Sequence, residues 1–282
     1  MTAIVCIAAA TSIFYLFAGS AAALRKEGLA FFTTSRWVYR HEDFGAASML
    51  FGSAVVAVLA LLLAAPVAIA AAVFISEIAP QRLRVMLKVG VELLAGIPSV
   101  VYGLLGVLFL RDWIAALYDR LGVDALSADT LFTGGILLAV MVLPTIATLS
   151  EDALHAVPLA AREAARGLGL TRSETITSVV VPRAAAGIIG AVLLGFGRAA
   201  GETIAVFLVV GRADNRPLRF GSIVDAGQTI TSKLGGSETN IAVGDPLHMS
   251  ALMTLALLLL LFVLAATLAA EALRGRISAE TQ

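Results

Sequence analysis

The stretch from Ser48 to Ile75 reads SMLFGSAVVAVLALLLAAPVAIAAAVFI and contains no charged side chain. A helix needs about 20 consecutive apolar residues to cross the hydrocarbon core of a bilayer, and this stretch is longer than that. It lacks the alternation of polar and apolar residues that is typical of the strands of an outer-membrane barrel. The stretch therefore predicts a transmembrane α-helix.

Similar apolar stretches occur along the whole chain. The six candidate spans are Thr2 to Leu24, Ser48 to Ile75, Val91 to Leu110, Leu131 to Leu149, Ala184 to Val210 and Leu247 to Ala270. We therefore predict an all-α membrane protein in which residues 1–282 form a single domain with six transmembrane helices. An even number of spans places both termini on the same side of the membrane.

The composition favours the same class of protein. Of the 282 residues, 59% are hydrophobic and 14% are charged, whereas a soluble domain is about 45–50% apolar and about 25% charged. The 20 basic and 20 acidic residues balance, so no basic excess favours a nucleic-acid partner. Cys6 is the only cysteine, which excludes an intrachain disulfide and a cysteine-rich metal site. We expect no cofactor and no metal.

The first span allows two interpretations. Ala21, Ala22 and Ala23 resemble a cleavage site, so a signal peptide is an alternative, although no lysine or arginine precedes the run and the run is long for such a peptide. The run begins directly after Met1, which suggests that a cytoplasmic leader is missing. Lysines and arginines are nearly equally divided between the two sides, so the positive-inside rule does not fix the orientation.

A polar segment at residues 153–183 separates the fourth and fifth spans and predicts two short helices. The first helix is expected to end at Gly167 or Gly169, because glycine readily adopts the left-handed conformation that ends many helices. The second helix is expected to begin at a capping box formed by Thr171 and Glu174. An interfacial helical hairpin would explain the amphipathic pattern equally well.

The residues of this segment resemble the EAA loop of ABC-importer permeases. Glu163, Ala164 and Ala165 are followed by Gly169 and, at the start of the next span, by Pro182. In that family the loop faces the cytoplasm and inserts its first helix into a groove of the ATPase subunit. The resemblance therefore implies that the small alanines permit close approach, that Glu163 offers a charge-assisted contact and that Gly169 allows a sharp turn.

Two further segments are informative, namely ELLAGIPSVVYGLLG at residues 92–106 and GRAAGETIAV at residues 197–206. Both resemble the permeases of the Pst phosphate importer, and the second resembles the PstC type. The resemblance implies a type I ABC-importer permease architecture, phosphate as the substrate, and a location in the cytoplasmic (inner) membrane of a prokaryote. It also implies a second permease of the PstA type, ATPase subunits of the PstB type and a periplasmic or lipid-anchored phosphate-binding protein of the PstS type.

Two ionisable residues fall inside the predicted fifth span. Arg198 lies near the predicted midplane, and Glu202 follows one turn later, so an ion pair within one helix is expected. Because a guanidinium offers paired donors to an oxyanion, Arg198 is the first candidate for contact with the substrate. Glu202, Thr203 and Ser99 complete the predicted pathway residues. A pure packing role for Arg198 and Glu202 is the alternative.

The start of the predicted third span carries polar and helix-breaking residues. Lys88 and Glu92 are one turn apart and predict an ion pair at the membrane interface. The sequence Gly96-Ile97-Pro98-Ser99 predicts either a break that turns backbone N–H groups towards an anion or a simple kink.

The chain lacks the phosphate-binding loop that an ATPase needs. None of its lysines, Lys26, Lys88 and Lys233, lies between a glycine and a serine or threonine. ATP hydrolysis is therefore assigned to another subunit, and the chain itself is not expected to be an enzyme. A proton-coupled carrier that uses Glu202 and a permease of the same class for sulfate or molybdate are the alternatives.

Overall fold

α-Helices dominate the computed structural model, which describes residues 2–215 and 223–280. The α-helices of these residues are α1 (Thr2–Glu27), α2 (Ala30–Thr33), α3 (Ala47–Val73), α4 (Gln81–Ala95), α5 (Ser99–Leu105), α6 (Arg111–Leu121), α7 (Leu131–His155), α8 (Leu159–Gly167), α9 (Arg172–Thr175), α10 (Val181–Gly201), α11 (Ile204–Val209), α12 (Ile230–Leu234), α13 (Glu238–Ile241) and α14 (Pro246–Glu280). Single π-helical turns at Phe74–Ile78, Gly106–Leu110 and Ile176–Val180 follow α3, α5 and α9. Two short antiparallel strands, β1 (Trp37–Val38) and β2 (Asp43–Phe44), flank a 3₁₀ turn at Tyr39–His41.

Six helical segments of the described residues are long and apolar enough to cross a membrane. They are Cys6–Glu27, Ala47–Ile78, Ser99–Leu121, Leu131–His155, Arg172–Gly201 and Pro246–Leu268. The number of spans and the all-α membrane class are thus confirmed. The fourth segment is mostly buried within the protein, whereas the other five expose most of their apolar surface, as helices that face lipid must.

Two of the predicted spans have the wrong bounds. The third was predicted at 91–110, but α4 ends at Ala95 and a new helix begins at Ser99. Pro98 lacks a backbone N–H and disfavours the helical conformation of the residue before it, so the predicted break occurs there. The fifth was predicted at 184–210, but the continuous helix starts at Arg172 and ends at Gly201.

The first compact unit comprises Met1–Val56, Ser99–Leu137 and Ala200–Leu264. Its largest core cluster contains Phe31, Trp37 and Phe44 together with residues of α14, and Trp37 packs edge-on against Phe44 with ring centroids 5.0 Å apart. A second cluster surrounds Tyr118. Its hydroxyl shares a hydrogen bond of 3.0 Å with the Thr130 hydroxyl, so this buried polar group is satisfied.

The second compact unit comprises Ala57–Pro98, Leu138–Ala199 and Ala265–Gln282. Small residues bring α7 and α10 close together in it. A Cβ atom at Gly187 would lie 2.5 Å from the Ala153 Cβ, and one at Gly195 would lie 2.6 Å from the Ile146 Cγ1. These glycines therefore allow the close helix packing that is typical of membrane proteins. The single permease domain that we predict for residues 1–282 stays a prediction.

Candidate functional site

The loop after the fourth span forms the two predicted helices. Helix α8 ends at Gly167, and the backbone N–H groups of Gly169 and Leu170 donate to the carbonyls of Arg166 (2.9 Å) and Ala165 (3.2 Å). These two bonds form a Schellman motif, which requires a left-handed residue after the helix. Gly169 has φ +88°, and no heavy atom lies within 4 Å of where its Cβ would be. Glycine is therefore needed here for its backbone conformation and not for space.

The second helix begins with the predicted capping box. The Glu174 N–H donates to the Thr171 hydroxyl at 3.3 Å, and the Thr171 N–H donates to the Glu174 carboxylate at 2.8 Å. The box satisfies backbone donors that the first turn of a helix leaves free. From this cap the chain runs as one helical segment to Gly201. The position of Thr171 therefore determines where the fifth span starts.

An ion pair that the sequence analysis did not identify holds α8 against the end of the second span. The Arg162 guanidinium donates to both carboxylate oxygens of Glu77 at 2.5 Å and to the Leu154 carbonyl at 2.7 Å. The side chains of Arg162 and Glu77 are only 14% and 9% exposed. A single carboxylate directly after a long apolar run was the available signal, because such a group needs a partner.

The four predicted coupling residues have different surroundings. Glu163 and Ala164 are exposed, whereas Ala165 is buried inside the second unit. The free surface of α8 therefore contains Glu163 and Ala164, while the small side chain of Ala165 permits close packing within the chain itself. The role of these residues and of Gly169 in coupling stays a prediction.

Arg198 is partly buried and lies close to the end of α10 and of the fifth span, so the predicted position near the midplane is wrong. Its guanidinium Nη1 donates to the Thr145 hydroxyl of α7 at 3.0 Å. Within the described residues of the second unit, no carboxylate lies at ion-pair distance from Arg198. Among the described residues of this unit, the charged Arg198 guanidinium thus donates to a neutral hydroxyl.

Glu202 and Thr203 lie outside the helix that carries Arg198. The helix ends at Gly201, so the two residues do not share one helix as we expected, and the ion pair between Arg198 and Glu202 stays a prediction. One Glu202 carboxylate oxygen accepts the N–H of Ala205 at 3.1 Å, at the start of α11. The Thr203 hydroxyl donates to the Gly201 carbonyl at 3.3 Å. At this interruption of the helix, the Glu202 carboxylate thus satisfies a backbone donor in the first turn of α11.

Ser99 is the first residue of α5, which packs against α11 in the first unit. A Cβ atom at Gly103 would lie 2.8 Å from the Leu208 Cδ1 and 3.0 Å from the Ala205 Cα. Residues 99–105 and 204–206 belong to the two segments that carry the resemblance to phosphate permeases. The structure therefore brings these parts of the two segments together through a glycine contact.

Lys88 pairs with acidic residues of α7 and not with Glu92, so that prediction is wrong. The Lys88 amine donates to Glu151 at 2.6 Å and to Asp152 at 3.5 Å. The hydrogen bond to Glu151 raises the pKa of Lys88 despite partial burial, and the charges of the two carboxylates add to the effect. Because the ammonium is fixed between two carboxylates of another helix, α4 is anchored to the end of the fourth span.

A buried charge network in the first unit was also missed. The Lys233 side chain is 1% exposed, and its amine donates to Asp214 at 2.7 Å and to Glu238 at 2.9 Å. His248 and the Trp37 indole contact the second oxygen of Glu238 at 2.8 Å and 3.3 Å. Burial alone would raise the pKa of the Glu238 carboxyl, but the hydrogen bond and charge of Lys233, with those of His248, lower it below its usual value.

The fold is similar to that of permeases in solved ABC transporters. A chain of the MetNI methionine ABC transporter in an inward-facing conformation aligns with a TM-score of 0.58 and 18% identity, over 83% of this chain and 94% of that chain. A chain of a bacterial alginate ABC transporter aligns with a TM-score of 0.61 and 16% identity, over 97% of this chain and 94% of that chain. The predicted ABC-importer permease architecture is therefore confirmed.

The amino-acid sequence defines the class more closely. Residues 64–279 match the family model of the binding-protein-dependent transport system inner membrane component. Members of this class are multi-pass membrane subunits that work together with other components of an ABC transporter.

Curated relatives give the branch within that class. The chain is 36% identical to the phosphate transport system permease protein PstC of Mesorhizobium japonicum, over 94% of this chain and 84% of that protein. It is 34% identical to the PstC protein of Haemophilus influenzae, over 86% of this chain and 79% of that protein. The chain therefore belongs to the PstC family of permeases.

Proposed function

We propose that the chain is the membrane permease subunit of an ATP-driven phosphate importer and that Arg198 contacts the anion during passage. The similarity to PstC permeases over most of the chain supports phosphate as the substrate. The same similarity supports a second permease of the PstA type, ATPase subunits of the PstB type and a binding protein of the PstS type as partners. It also supports the inner membrane of a prokaryote as the location.

The observation that carries the pathway assignment is the surroundings of Arg198. A charge inside a membrane is costly, so it normally faces a partner or a cavity. Within the described residues of its own unit, Arg198 donates only to a neutral hydroxyl, that of Thr145. A guanidinium with free donors suits the oxygens of a tetrahedral anion. Glu202, Thr203 and Ser99 stay the other proposed pathway residues.

Coupling to ATP hydrolysis is assigned to α8 and the turn that follows it. Glu163 and Ala164 provide the exposed contact surface, and Gly169 provides the turn. The buried pair of Arg162 and Glu77 would transmit a movement of α8 to the end of the second span. The chain itself has no ATPase motif, so we assign hydrolysis to the partner subunits.

Uptake of labelled phosphate by cells that carry Arg198→Gln tests the pathway assignment. The variant keeps hydrogen-bond donors but removes the charge, so uptake should fall severely while the complex still assembles. Arg183→Gln is a matched control, because Arg183 is exposed on the same helix, α10. Glu202→Gln should also impair turnover.

The double variant Arg198→Gln with Glu202→Gln separates transport from packing. If the two residues only neutralise each other, removing both charges should restore assembly and uptake. If Arg198 contacts the anion, the double variant should assemble and stay inactive. Near-normal uptake by the double variant would refute the proposed role of Arg198.

The same cells test the alternative transport functions. Uptake that continues when the partner ATPase is inactivated would favour a proton-coupled carrier. Uptake of labelled sulfate or molybdate, with no uptake of labelled phosphate, would favour a permease for those anions. We expect ATP-dependent uptake that only unlabelled phosphate competes for, and no ATP hydrolysis by the purified chain alone.

A further inference from the structure

A cavity of about 390 Å³ lies in the second unit beside α8. Four arginines line it, namely Arg84 of α4, Arg162 and Arg166 of α8, and Arg172 of α9. Glu77 is the only carboxylate among the described lining residues. The four cations come from three helices and converge on one concave surface.

The carboxylate neutralises only one of the four arginines. Both oxygens of Glu77 accept from Arg162, which also donates to backbone carbonyls. Arg84 donates to the Ser76 carbonyl at 2.6 Å, and Arg172 donates to the Glu77 carbonyl. Within the described part of the second unit, the Arg166 side chain has no hydrogen-bond or ion-pair partner. Three guanidinium charges on this surface therefore have no carboxylate partner among the described residues of their unit.

One donor of these arginines also lacks a hydrogen-bond partner. The Arg84 Nε is buried and has no hydrogen-bond partner. Buried polar atoms in folded proteins are nearly always satisfied, so an unsatisfied one requires an explanation such as a bound ion. Guanidinium groups bind the oxygens of phosphate groups with paired, charge-assisted hydrogen bonds. The cavity is large enough to admit such a group.

We propose that this cavity, which we call the arginine cavity, binds a phosphate group beside the coupling helix. Two sources share this chemistry, namely free inorganic phosphate and the headgroup of an anionic lipid. The position of the arginine cavity on the cytoplasmic face rests on the proposed function, whereas its ligand chemistry does not. A bound phosphate group would bridge α8 to α4 and thereby restrict the movement of α8.

Equilibrium dialysis with labelled orthophosphate tests the free-ion source on the delipidated complex of permeases and ATPases in detergent. Arg166→Gln is the cleanest variant, because Arg166 is exposed and its loss removes no described contact. It should weaken phosphate binding about 10- to 100-fold, as loss of a charge-assisted hydrogen bond does. Arg84→Gln together with Arg166→Gln should abolish the binding that the arginine cavity contributes. Arg82→Gln is the control, because Arg82 lies in α4 like Arg84 but is exposed and does not line the cavity. This variant should bind phosphate as the unaltered protein does.

Native mass spectrometry of the complex extracted from membranes tests the lipid source. Loss of retained phosphatidylglycerol in Arg166→Gln but not in Arg82→Gln, without orthophosphate binding, would identify the lipid as the source. If Arg166→Gln and the double variant change neither orthophosphate binding nor lipid retention, the proposal is overturned. Because binding is measured without transport, a failure of this proposal is distinguishable from a failure of the phosphate transport assignment.

Discussion

Replacing Arg162 by glutamine should detach α8 from the end of the second span. The guanidinium holds both oxygens of Glu77 and the Leu154 carbonyl, and both charged side chains are largely buried. Removing one partner of a buried ion pair costs about 3–5 kcal/mol, because the other charge is left uncompensated. At about 1.4 kcal/mol for each factor of ten, α8 should detach roughly a hundred to a few thousand times more often.

Hydrogen exchange of the α8 amides in the assembled complex measures this directly. In Arg162→Gln, exchange of residues 159–167 should accelerate by that factor, while exchange in α12, a helix of the first unit, should not change. Phosphate uptake should fall at normal membrane abundance, because a loose α8 cannot transmit movement. The double variant Glu77→Gln with Arg162→Gln should recover part of the protection, since no buried charge remains unpaired.

Two results would contradict this reasoning. Unchanged exchange of residues 159–167 in Arg162→Gln would show that the ion pair does not anchor α8. Equal exchange in the single and double variants would show that an uncompensated Glu77 charge is not the cause of the loss. Arg82→Gln serves as the charge control, because Arg82 is exposed.

Three further predictions concern single positions. Gly169→Asp should reduce phosphate uptake at normal membrane abundance, and Gly169→Val should reduce it more, because the left-handed backbone conformation is least favourable for a β-branched residue. Equal uptake by both variants and the unaltered protein would contradict this prediction. The lowered pKa of Glu238 means that its pairing with Lys233 stabilises the fold above about pH 4.5, and that this stabilisation is lost as the pH falls below that value. The melting temperature of Glu238→Gln should therefore fall less on acidification than that of the unaltered protein. An identical pH dependence of the two melting temperatures would contradict this prediction. Gly195→Val should lower the melting temperature by overpacking Ile146, at a cost of about 1–3 kcal/mol, whereas a Gly190→Ala control, which meets no heavy atom within 4 Å, should not.

The features that could be predicted from the sequence are those that neighbouring residues determine. The capping box of Thr171 and Glu174 spans one helical turn, and the turn at Gly169 depends on one backbone conformation. The number of spans follows from local hydropathy alone. The predicted bounds of the third and fifth spans were wrong, because hydropathy does not show where Pro98 or the residues after Gly201 interrupt the backbone hydrogen bonds of a helix.

The ion pairs could not be predicted, because they join residues far apart in sequence. Lys88 has an acidic residue one turn away, yet its partners lie on α7. Glu77 pairs with Arg162, which is 85 positions further along the chain. A spacing of four residues permits only a weak interaction of about 0.2–0.5 kcal/mol on an exposed helix. A buried partner on another helix overrides it easily, so local spacing predicts such pairs poorly.

The interruption of the helix after Gly201 changes how the proposed pathway residues are interpreted. On an uninterrupted helix, Arg198 and Glu202 would neutralise each other one turn apart, and an anion would have to compete with that carboxylate. Here the Glu202 carboxylate satisfies the Ala205 N–H, and the Arg198 guanidinium donates to the neutral Thr145 hydroxyl. A hydroxyl can yield to an anion at far lower electrostatic cost than a carboxylate can. Within its own unit, the Arg198 guanidinium therefore faces a partner that an anion can displace, as the proposed contact with a passing oxyanion requires.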